Sequence, residues 1–175
     1  MVNNLKIFTE ANFITFSRIF IIPPLILSIL NEKIYISGFL VILAILTDYL
    51  DGIIARKFNI TTDSGKLLDP AVDKIFTISV LTAFVEKHYI SSFWVYFIVL
   101  REMLITWIRS LGAKKGYILP ASNEGKLKTS CQFGAIFLLS IKFITLGKIF
   151  LLISIFLAYY SGIIYFIKTV REMEA

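Results

Sequence analysis

Residues 48–73 read DYLDGIIARKFNITTDSGKLLDPAVD, and a long apolar segment lies on either side of them. Four carboxylates, those of Asp48, Asp51, Asp69 and Asp73, recur here at spacings of three and four residues, which put each pair on one face of a helix. An ionised carboxylate at membrane depth is costly unless something neutralises it, so such acids mark functional sites. The stretch therefore predicts two antiparallel helices, joined by a short loop, that bring four acids together.

The composition predicts an all-α integral membrane protein. Of the 175 residues, 57% are hydrophobic and only 17% are charged, whereas soluble domains have about 25% charged residues. Apolar runs of about 20 residues are long enough to cross a bilayer as helices. Six such runs with short connections predict one bundle of six transmembrane helices in a single domain, residues 1–175: Phe13–Leu30, Ile34–Arg56, Leu67–Val85, Phe93–Leu111, Leu127–Ile144 and Ile149–Ile167.

The basic residues predict the orientation of the bundle. Thirteen of them lie at one face of the six-helix arrangement, and four lie at the other: Lys33, Lys87, Lys142 and Lys148. By the positive-inside rule, the face with thirteen and both chain termini are cytoplasmic. Topology and anionic membrane lipids then account for the net charge of +6 without a nucleic-acid partner. The segment Met1–Glu10 is either a short helix on the membrane surface or a charged tether.

The only cysteine and the only histidine do not suggest a site. Cys131 falls within the fifth apolar segment, and His88 falls in the predicted outer loop between the third and fourth helices. One cysteine cannot form an internal disulfide, and the chain has no Cys/His cluster of the kind that binds zinc. We expect Cys131 to be a packed thiol and His88 to be a solvated loop residue.

The four acids predict a site for divalent cations. Crowded carboxylates repel one another unless cations lie among them. Magnesium prefers carboxylate oxygens and keeps coordination positions open for substrate phosphates. Two such ions would bridge a diphosphate, and one acid that stays off the metals could act as a general base. In the structural alternative, Asp48 pairs with Arg56 while Asp63 and Asp69 merely cap the third helix.

The chain resembles the CDP-alcohol phosphotransferase family, whose signature matches Asp48-x2-Asp51-Gly52-x2-Ala55-Arg56-x8-Gly65-x3-Asp69-x3-Asp73 position for position. Members of that family are six-helix integral membrane proteins that transfer a phosphatidyl-type group from a CDP-linked lipid to an alcohol and release CMP. The resemblance implies two Mg²⁺ or Mn²⁺ ions among Asp48, Asp51, Asp69 and Asp73, with Asp73 as the base. It also implies a homodimer, and a CDP-lipid site lined by Gly52, Ala55, Arg56 and Gly65.

Further segments of the chain resemble bacterial phosphatidylglycerophosphate synthases within this family. One is Asn12-x2-Thr15-x2-Arg18, which departs from that pattern because Ala11 stands where a proline precedes the asparagine. This resemblance implies that these three residues contact the CDP-lipid, although helix capping by Asn12 and snorkelling of Arg18 would explain them as well. It implies CDP-diacylglycerol as donor, glycerol 3-phosphate as acceptor, and a multi-pass protein of the bacterial cytoplasmic membrane with its active site facing the cytoplasm.

The other segments are Arg101-Glu102, Arg109 and Gly125-Lys126-Leu127-Lys128-Thr129. Arg101 and Arg109 are eight residues apart and therefore share a helical face. A phosphorylated acceptor needs cations beside the metals, and Arg101, Arg109, Lys126 and Lys128 could supply them. For Lys128, positive-inside charge is an equally good explanation. A simple pairing of Arg101 with a glutamate also remains open.

Three other functions compete with transfer to glycerol 3-phosphate. The same chemistry could use inositol phosphate, serine or phosphatidylglycerol as acceptor, although the basic residues favour a phosphorylated one. A divalent-cation transporter would use the acids but would not need the glycines, and the sequence has no visible inverted repeat. An intramembrane prenyltransferase would be expected to have two separated Asp-rich motifs, whereas this chain has one.

Overall fold

The computed structural model describes the backbone of residues 10–58, 63–114 and 123–174, and the side chains of residues 18–47, 49, 71–112, 125 and 127–171. These residues form six helices and no strand, which confirms the all-α prediction for the part of the chain that is described. The helices are α1 (Glu10–Leu30), α2 (Ile34–Phe58), α3 (Asp63–Glu86), α4 (Ser92–Lys114), α5 (Asn123–Ser140) and α6 (Ile144–Glu174). The predicted surface helix or tether, Met1–Glu10, lies outside the described residues except for Glu10.

The chain divides into two compact units, which we call the α1–α3 unit and the α4–α6 unit. The α1–α3 unit consists of the chain up to Lys87 together with Ser140–Lys142 from the turn after α5. The α4–α6 unit consists of His88–Leu139 and the chain from Phe143 onward. The acid motif belongs to the first unit, and the basic residues predicted to bind the acceptor belong to the second.

In the α1–α3 unit, α1 packs against both α2 and α3. The contact is apolar, because each of the three helices buries hydrophobic side chains: Leu25, Ile29, Val41, Ala44, Phe76, Val80 and Phe84. Pro23 and Pro24 lie inside α1 without ending it. α1 therefore joins the two helices that carry the four acids.

In the α4–α6 unit, α4 packs against α6, and the Tyr159 hydroxyl donates a hydrogen bond of 3.0 Å to the Phe97 carbonyl. α5 and α6 approach each other closely at Gly147. A Cβ atom at this position would lie 2.7 Å from Leu139 Cγ and 3.1 Å from the Leu139 backbone nitrogen. The start of α6 can therefore sit against the end of α5 only because residue 147 has no side chain.

α1 and α5 end in the same way, at a non-glycine residue in the left-handed backbone region. Glu32 has a φ of 58° and Lys142 a φ of 63°. The amides of the residues that follow, Lys33 and Phe143, donate 2.9 Å hydrogen bonds to Ser28 and Leu138, each five residues back. This is the Schellman arrangement, in which two otherwise unpaired carbonyls near a helix end gain partners.

The predicted boundary between the last two helices was wrong. The sequence prediction continued the fifth helix to Ile144 and began the sixth at Ile149, whereas α5 ends at Ser140 and α6 begins at Ile144. Ser140 and Lys142 interrupt the apolar run only briefly, and no glycine or proline at residues 141–143 marks the turn. The Ser140 carbonyl accepts a 2.8 Å hydrogen bond from the buried Ser37 hydroxyl of α2, which gives the end of α5 a partner within the α1–α3 unit.

One carboxylate joins three turns of the α1–α3 unit, and we call this group the Glu32 cluster. Glu32 Oε1 lies 2.5 Å from Lys87 Nζ, and Glu32 Oε2 lies 2.5 Å from Lys142 Nζ. Lys87 also donates a 3.5 Å hydrogen bond to the carbonyl of Leu30, the last residue of α1. Glu32 and Lys142, two of the three described non-glycine residues with a left-handed backbone, therefore bond to each other.

The surface of the described helices is strongly apolar. Large side chains such as Phe20, at 77% exposure, and Phe156, at 71%, point outward, which is unusual for a protein surrounded by water. Within the described residues one helical segment, Ile144–Arg171, is long and apolar enough to cross a membrane. Two shorter apolar segments are Arg18–Leu30 and Ile34–Thr47. The six-span bundle stays a prediction.

Candidate active site

The acid motif lies on two helices, as its spacing predicts. Asp48 and Asp51 fall in α2 with Gly52, Ala55 and Arg56, and α2 ends two residues later at Phe58. α3 begins at Asp63 and carries the rest of the motif: Gly65, Asp69 and Asp73. Of these motif residues only Asp73 has a described side chain, and the others are placed by their backbone alone.

Arg18 and Asp73 form an ion pair between α1 and α3. Arg18 Nη1 donates to Asp73 Oδ1 across 55 residues of sequence. The Arg18 side chain is 2% exposed, while that of Asp73 is 39% exposed. A buried guanidinium does not snorkel, and a charge away from water needs an opposite charge beside it. The structure therefore brings together the residue predicted to be the base and a residue predicted to contact the CDP-lipid.

Asn12 and Thr15, the other two residues of α1 that are predicted to contact the CDP-lipid, have side chains outside the described set.

The chemistry of the donor set fits hard divalent ions. Four carboxylates provide the oxygen ligands that Mg²⁺ and Mn²⁺ prefer. Among the side chains that are described, no three acids, histidines or cysteines lie together as a metal site. Asp48, Asp51 and Asp69 are outside that set, so the predicted ligand set rests on the motif and on the helices that carry it.

A second group of charges lies in the α4–α6 unit, and we call it the Glu102 network. Arg101 Nη1 lies 2.9 Å from Glu102 Oε1, and Lys128 Nζ of α5 lies 2.6 Å from the same oxygen. Arg101 also donates from Nε to the Ala158 carbonyl at 2.9 Å and from Nη2 to the Ser161 hydroxyl at 3.0 Å, both on α6. The network therefore connects α4, α5 and α6 through side chains that are only 12–14% exposed.

Arg109 has a different environment from Arg101, although both lie on α4. Its guanidinium carbon lies 5.4 Å from the centre of the Tyr165 ring, within the range of a cation–π interaction. The Arg109 side chain is exposed. Lys126 lies in α5, and its side chain is outside the described set. Of the four predicted acceptor ligands, the structure thus brings Arg101 and Lys128 together around one carboxylate.

Glu102 was not among the predicted site residues, although its position within an apolar segment of the sequence could have identified it. A carboxylate in the middle of an apolar segment is costly and marks function by default, as it did for the four aspartates. Ser161 gave no signal, because a serine in a membrane helix is common. Cys131 is partly buried and His88 is exposed in the turn before α4, as expected.

Comparison with known proteins adds a family match. The family model for CDP-alcohol phosphatidyltransferase matches residues 8–160, a range that includes the whole acid motif and the Glu102 network except Ser161. Curated relatives carry the name CDP-diacylglycerol–glycerol-3-phosphate 3-phosphatidyltransferase. The chain is 37% identical to that of Wigglesworthia glossinidia brevipalpis, over 91% of this chain and 94% of the relative.

Two further relatives bear the same name. The chain is 32% identical to the protein from Rickettsia felis, over 89% of this chain and 92% of the relative. It is 39% identical to the protein from Mycoplasma pneumoniae over 107 residues, which are 61% of this chain. Those 107 residues cover 47% of the Mycoplasma protein, so the match spans about half of that relative's length.

Proposed function

The chain belongs to the CDP-alcohol phosphatidyltransferase family, and from this premise we propose that it transfers the phosphatidyl group of CDP-diacylglycerol to glycerol 3-phosphate. The products are phosphatidylglycerol phosphate and CMP. The observation that carries the proposal is the match of the family model across the acid motif, together with relatives of that name that align over about nine-tenths of both chains. An enzyme of phospholipid synthesis also suits the apolar outer surface of the helices.

Asp73 is the proposed general base. The sn-1 hydroxyl oxygen of glycerol 3-phosphate attacks the β-phosphorus of CDP-diacylglycerol, and the hydroxyl proton passes to the Asp73 carboxylate. The bond from that phosphorus to the bridging oxygen breaks, and CMP leaves with the electron pair. The ion pair with Arg18 supports this role, because it fixes the direction of the carboxylate.

Asp48, Asp51, Asp69 and Asp73 would hold the metal. Enzymes of this family generally depend on divalent metal ions. We propose two ions, Mg²⁺ or Mn²⁺, which supply positive charge beside the diphosphate. Gly52, Ala55 and Gly65 leave space for the CDP moiety on the helices that carry the acids. Arg56, with Asn12, Thr15 and Arg18, is proposed to contact the donor.

The acceptor's phosphate is proposed to bind Arg101, Arg109, Lys126 and Lys128. The pairing of Arg101 and Lys128 around one oxygen supports this, because two cations held side by side suit a phosphate dianion. This is also the reason to prefer glycerol 3-phosphate over serine or phosphatidylglycerol. Inositol phosphate also has a phosphate and stays the nearest alternative acceptor.

The remaining proposals concern the protein as a whole. We propose a single domain over residues 1–175, six membrane spans, a homodimer, and a location in the bacterial cytoplasmic membrane with the active site facing the cytoplasm. The family is associated with membranes, and the apolar helix Ile144–Arg171 supports the membrane location. The excess of lysine and arginine at one face supports the orientation.

The test supplies purified protein with CDP-diacylglycerol, Mg²⁺ and one alcohol at a time, and measures released CMP and the lipid product. The alcohols are glycerol 3-phosphate, inositol phosphate, serine and phosphatidylglycerol. We expect CMP release with glycerol 3-phosphate, and phosphatidylglycerol phosphate as the lipid product. Release with another alcohol and none with glycerol 3-phosphate would refute the proposed acceptor. The absence of release with every alcohol would refute the reaction.

A further inference from the structure

Glu102 lies at the centre of a charged network that the proposed reaction does not yet use. Its Oε1 atom accepts hydrogen bonds from Arg101 at 2.9 Å and from Lys128 at 2.6 Å. Among the described side chains, two cations and one carboxylate leave the group with one net positive charge. The side chains are largely buried, so this charge is screened much less than it would be at a wet surface.

The two cations differ in how firmly they are held. Arg101 bonds to the Ala158 carbonyl and to the Ser161 hydroxyl on α6, so its planar guanidinium is fixed on two further edges. Gly162 stands next to it, and a Cβ atom there would lie only 3.7 Å from Arg101 Nε. Lys128 is a flexible four-carbon chain that loses much rotamer freedom when it is held in one position. Among the described residues, Glu102 is a partner that holds the Lys128 ammonium beside Arg101.

We propose that Glu102 is a positioning residue for the acceptor: its carboxylate holds the Lys128 ammonium next to the fixed Arg101 guanidinium, and this pair binds the acceptor's phosphate. The inference rests on the proposed function, because it names the groups that recognise the phosphorylated alcohol. Glu102 does not contact the acceptor itself. It acts through Lys128, whose ordering in advance of binding reduces the entropy lost when the acceptor binds.

This arrangement has a measurable consequence for the two substrates. Replacing Glu102 by glutamine keeps the side chain's shape and removes its charge, so the Lys128 ammonium loses a charge-assisted hydrogen bond. We expect the KM for glycerol 3-phosphate to rise about tenfold or more. A tenfold rise corresponds to the lower end of the range of free energies that hydrogen bonds to charged groups contribute. The KM for CDP-diacylglycerol should change less than about twofold, because the donor is proposed to bind residues of the α1–α3 unit.

The experiment measures CMP release by full-length protein, with each substrate varied in turn while the other is saturating. The variants are Glu102→Gln, Lys128→Met, and the two combined. Because Glu102 acts through Lys128, the substitution Glu102→Gln should raise the acceptor KM less than about threefold when Lys128 is already methionine. Glu86→Gln is the matched control, since Glu86 is exposed at the end of α3, and its two KM values should equal those of the wild type.

Three outcomes would overturn the role of Glu102 in a wild type that is active with glycerol 3-phosphate. The first is an acceptor KM in Glu102→Gln that stays within about twofold of the wild-type value, and the second is an equal rise of the donor KM and the acceptor KM. The third is a rise of the acceptor KM on Glu102→Gln that is as large in the Lys128→Met background as in the wild type. If Glu102→Gln does not fold, Glu102→Asp keeps the charge and shortens the reach, and the same rise confined to the acceptor is expected. A wild type inactive with glycerol 3-phosphate would instead refute the proposed function.

Discussion

Arg18 carries its charge into the interior of the α1–α3 unit, where Asp73 meets it from another helix. Removing Asp73 would take this counter-charge away from the buried Arg18 guanidinium, which is destabilising because a buried charge needs an opposite charge beside it. The pair therefore ties the proposed base to α1 and fixes the direction of its carboxylate.

Substitution of the proposed base tests its role most directly. Asp73→Asn keeps the volume of the side chain and removes its ability to accept a proton, so kcat should fall about 100-fold or more, the usual effect of losing a general base. Single-turnover rates and the affinity for CDP-diacylglycerol should be measured on the same variant. Asp63→Asn, outside the set of four acids, is the control. Near wild-type turnover by Asp73→Asn would mean that another group takes the proton.

The Glu32 cluster gives a pH dependence of stability. Hydrogen bonds from Lys142 and Lys87 lower the pKa of Glu32 from 4.5 to about 2. Since the pKa is lower in the folded protein, the cluster's stabilisation is complete above pH 4.5 and is lost as the pH falls towards 2. The measurement compares thermal unfolding of wild type and Glu32→Gln. The difference in their midpoints should be constant from pH 5 to 7 and shrink below pH 4.5. A difference that stays unchanged down to pH 3 would contradict the assignment.

At the residue scale, the sequence predicted which charged side chains belong to the site but not which of them form ion pairs with each other. Asp73 was identified from its spacing to Asp69, which is local and follows from helix geometry. Its partner Arg18 is 55 residues away, and their contact depends on how α1 packs against α3. The sharing of one Glu102 oxygen by Arg101 and Lys128 likewise depends on the placement of α5, which no local pattern encodes.

Among the helices, the contact between α5 and α6 depends most on a single residue. Gly147→Ala would put a Cβ atom 2.7 Å from Leu139 Cγ, and the nearby Leu139 backbone nitrogen leaves little room for adjustment. Overpacking of this kind costs about 1–3 kcal/mol. Gly134→Ala is the matched control, because its Cβ would lie 3.4 Å from Phe150 Cδ1, an ordinary contact at the end of a side chain.

The measurement for these variants is the thermal unfolding midpoint of the protein in detergent. Gly147→Ala should unfold at a clearly lower temperature than the wild type, while Gly134→Ala should differ by no more than a few degrees. Equal midpoints for the two alanine variants would show that α6 moves away from α5 without cost. The close approach at Gly147 would then not be needed for stability.

Hydrophobicity located the helices but not all of their ends. Each predicted apolar segment overlaps one observed helix, and the starts of α2 and α4 lie within a residue of the prediction. The end of α5 was missed by four residues because Lys142 adopts a left-handed backbone where glycine would be expected. The neighbours that support this conformation, Glu32 and Ser37, come from the distant α1–α2 turn and from α2.

For the molecule as a whole, dependence on metal is the strongest expectation. Chelation of divalent ions should abolish CMP release, and added Mg²⁺ or Mn²⁺ should restore it, because the four acids alone would repel the diphosphate. Binding of Mn²⁺, followed by its paramagnetic signal, should be lost in Asp69→Asn and kept in Asp63→Asn. Turnover that persists in excess chelator would contradict the proposed metal site.

The α5–α6 turn gives the α1–α3 unit a dependence on the timing of synthesis. Lys142 bonds to Glu32 across 110 residues of chain. At about 5–20 residues per second, a ribosome needs about 5–20 s to make that stretch. The first three helices are complete once Glu86 has been made, about half-way through this interval, and from then until the turn is made Ser37 and Glu32 lack the partners that the turn supplies. The α1–α3 unit therefore depends on residues that are synthesised late, Ser140–Lys142. A nascent chain that stalls before residue 140 would leave the first helices without these contacts.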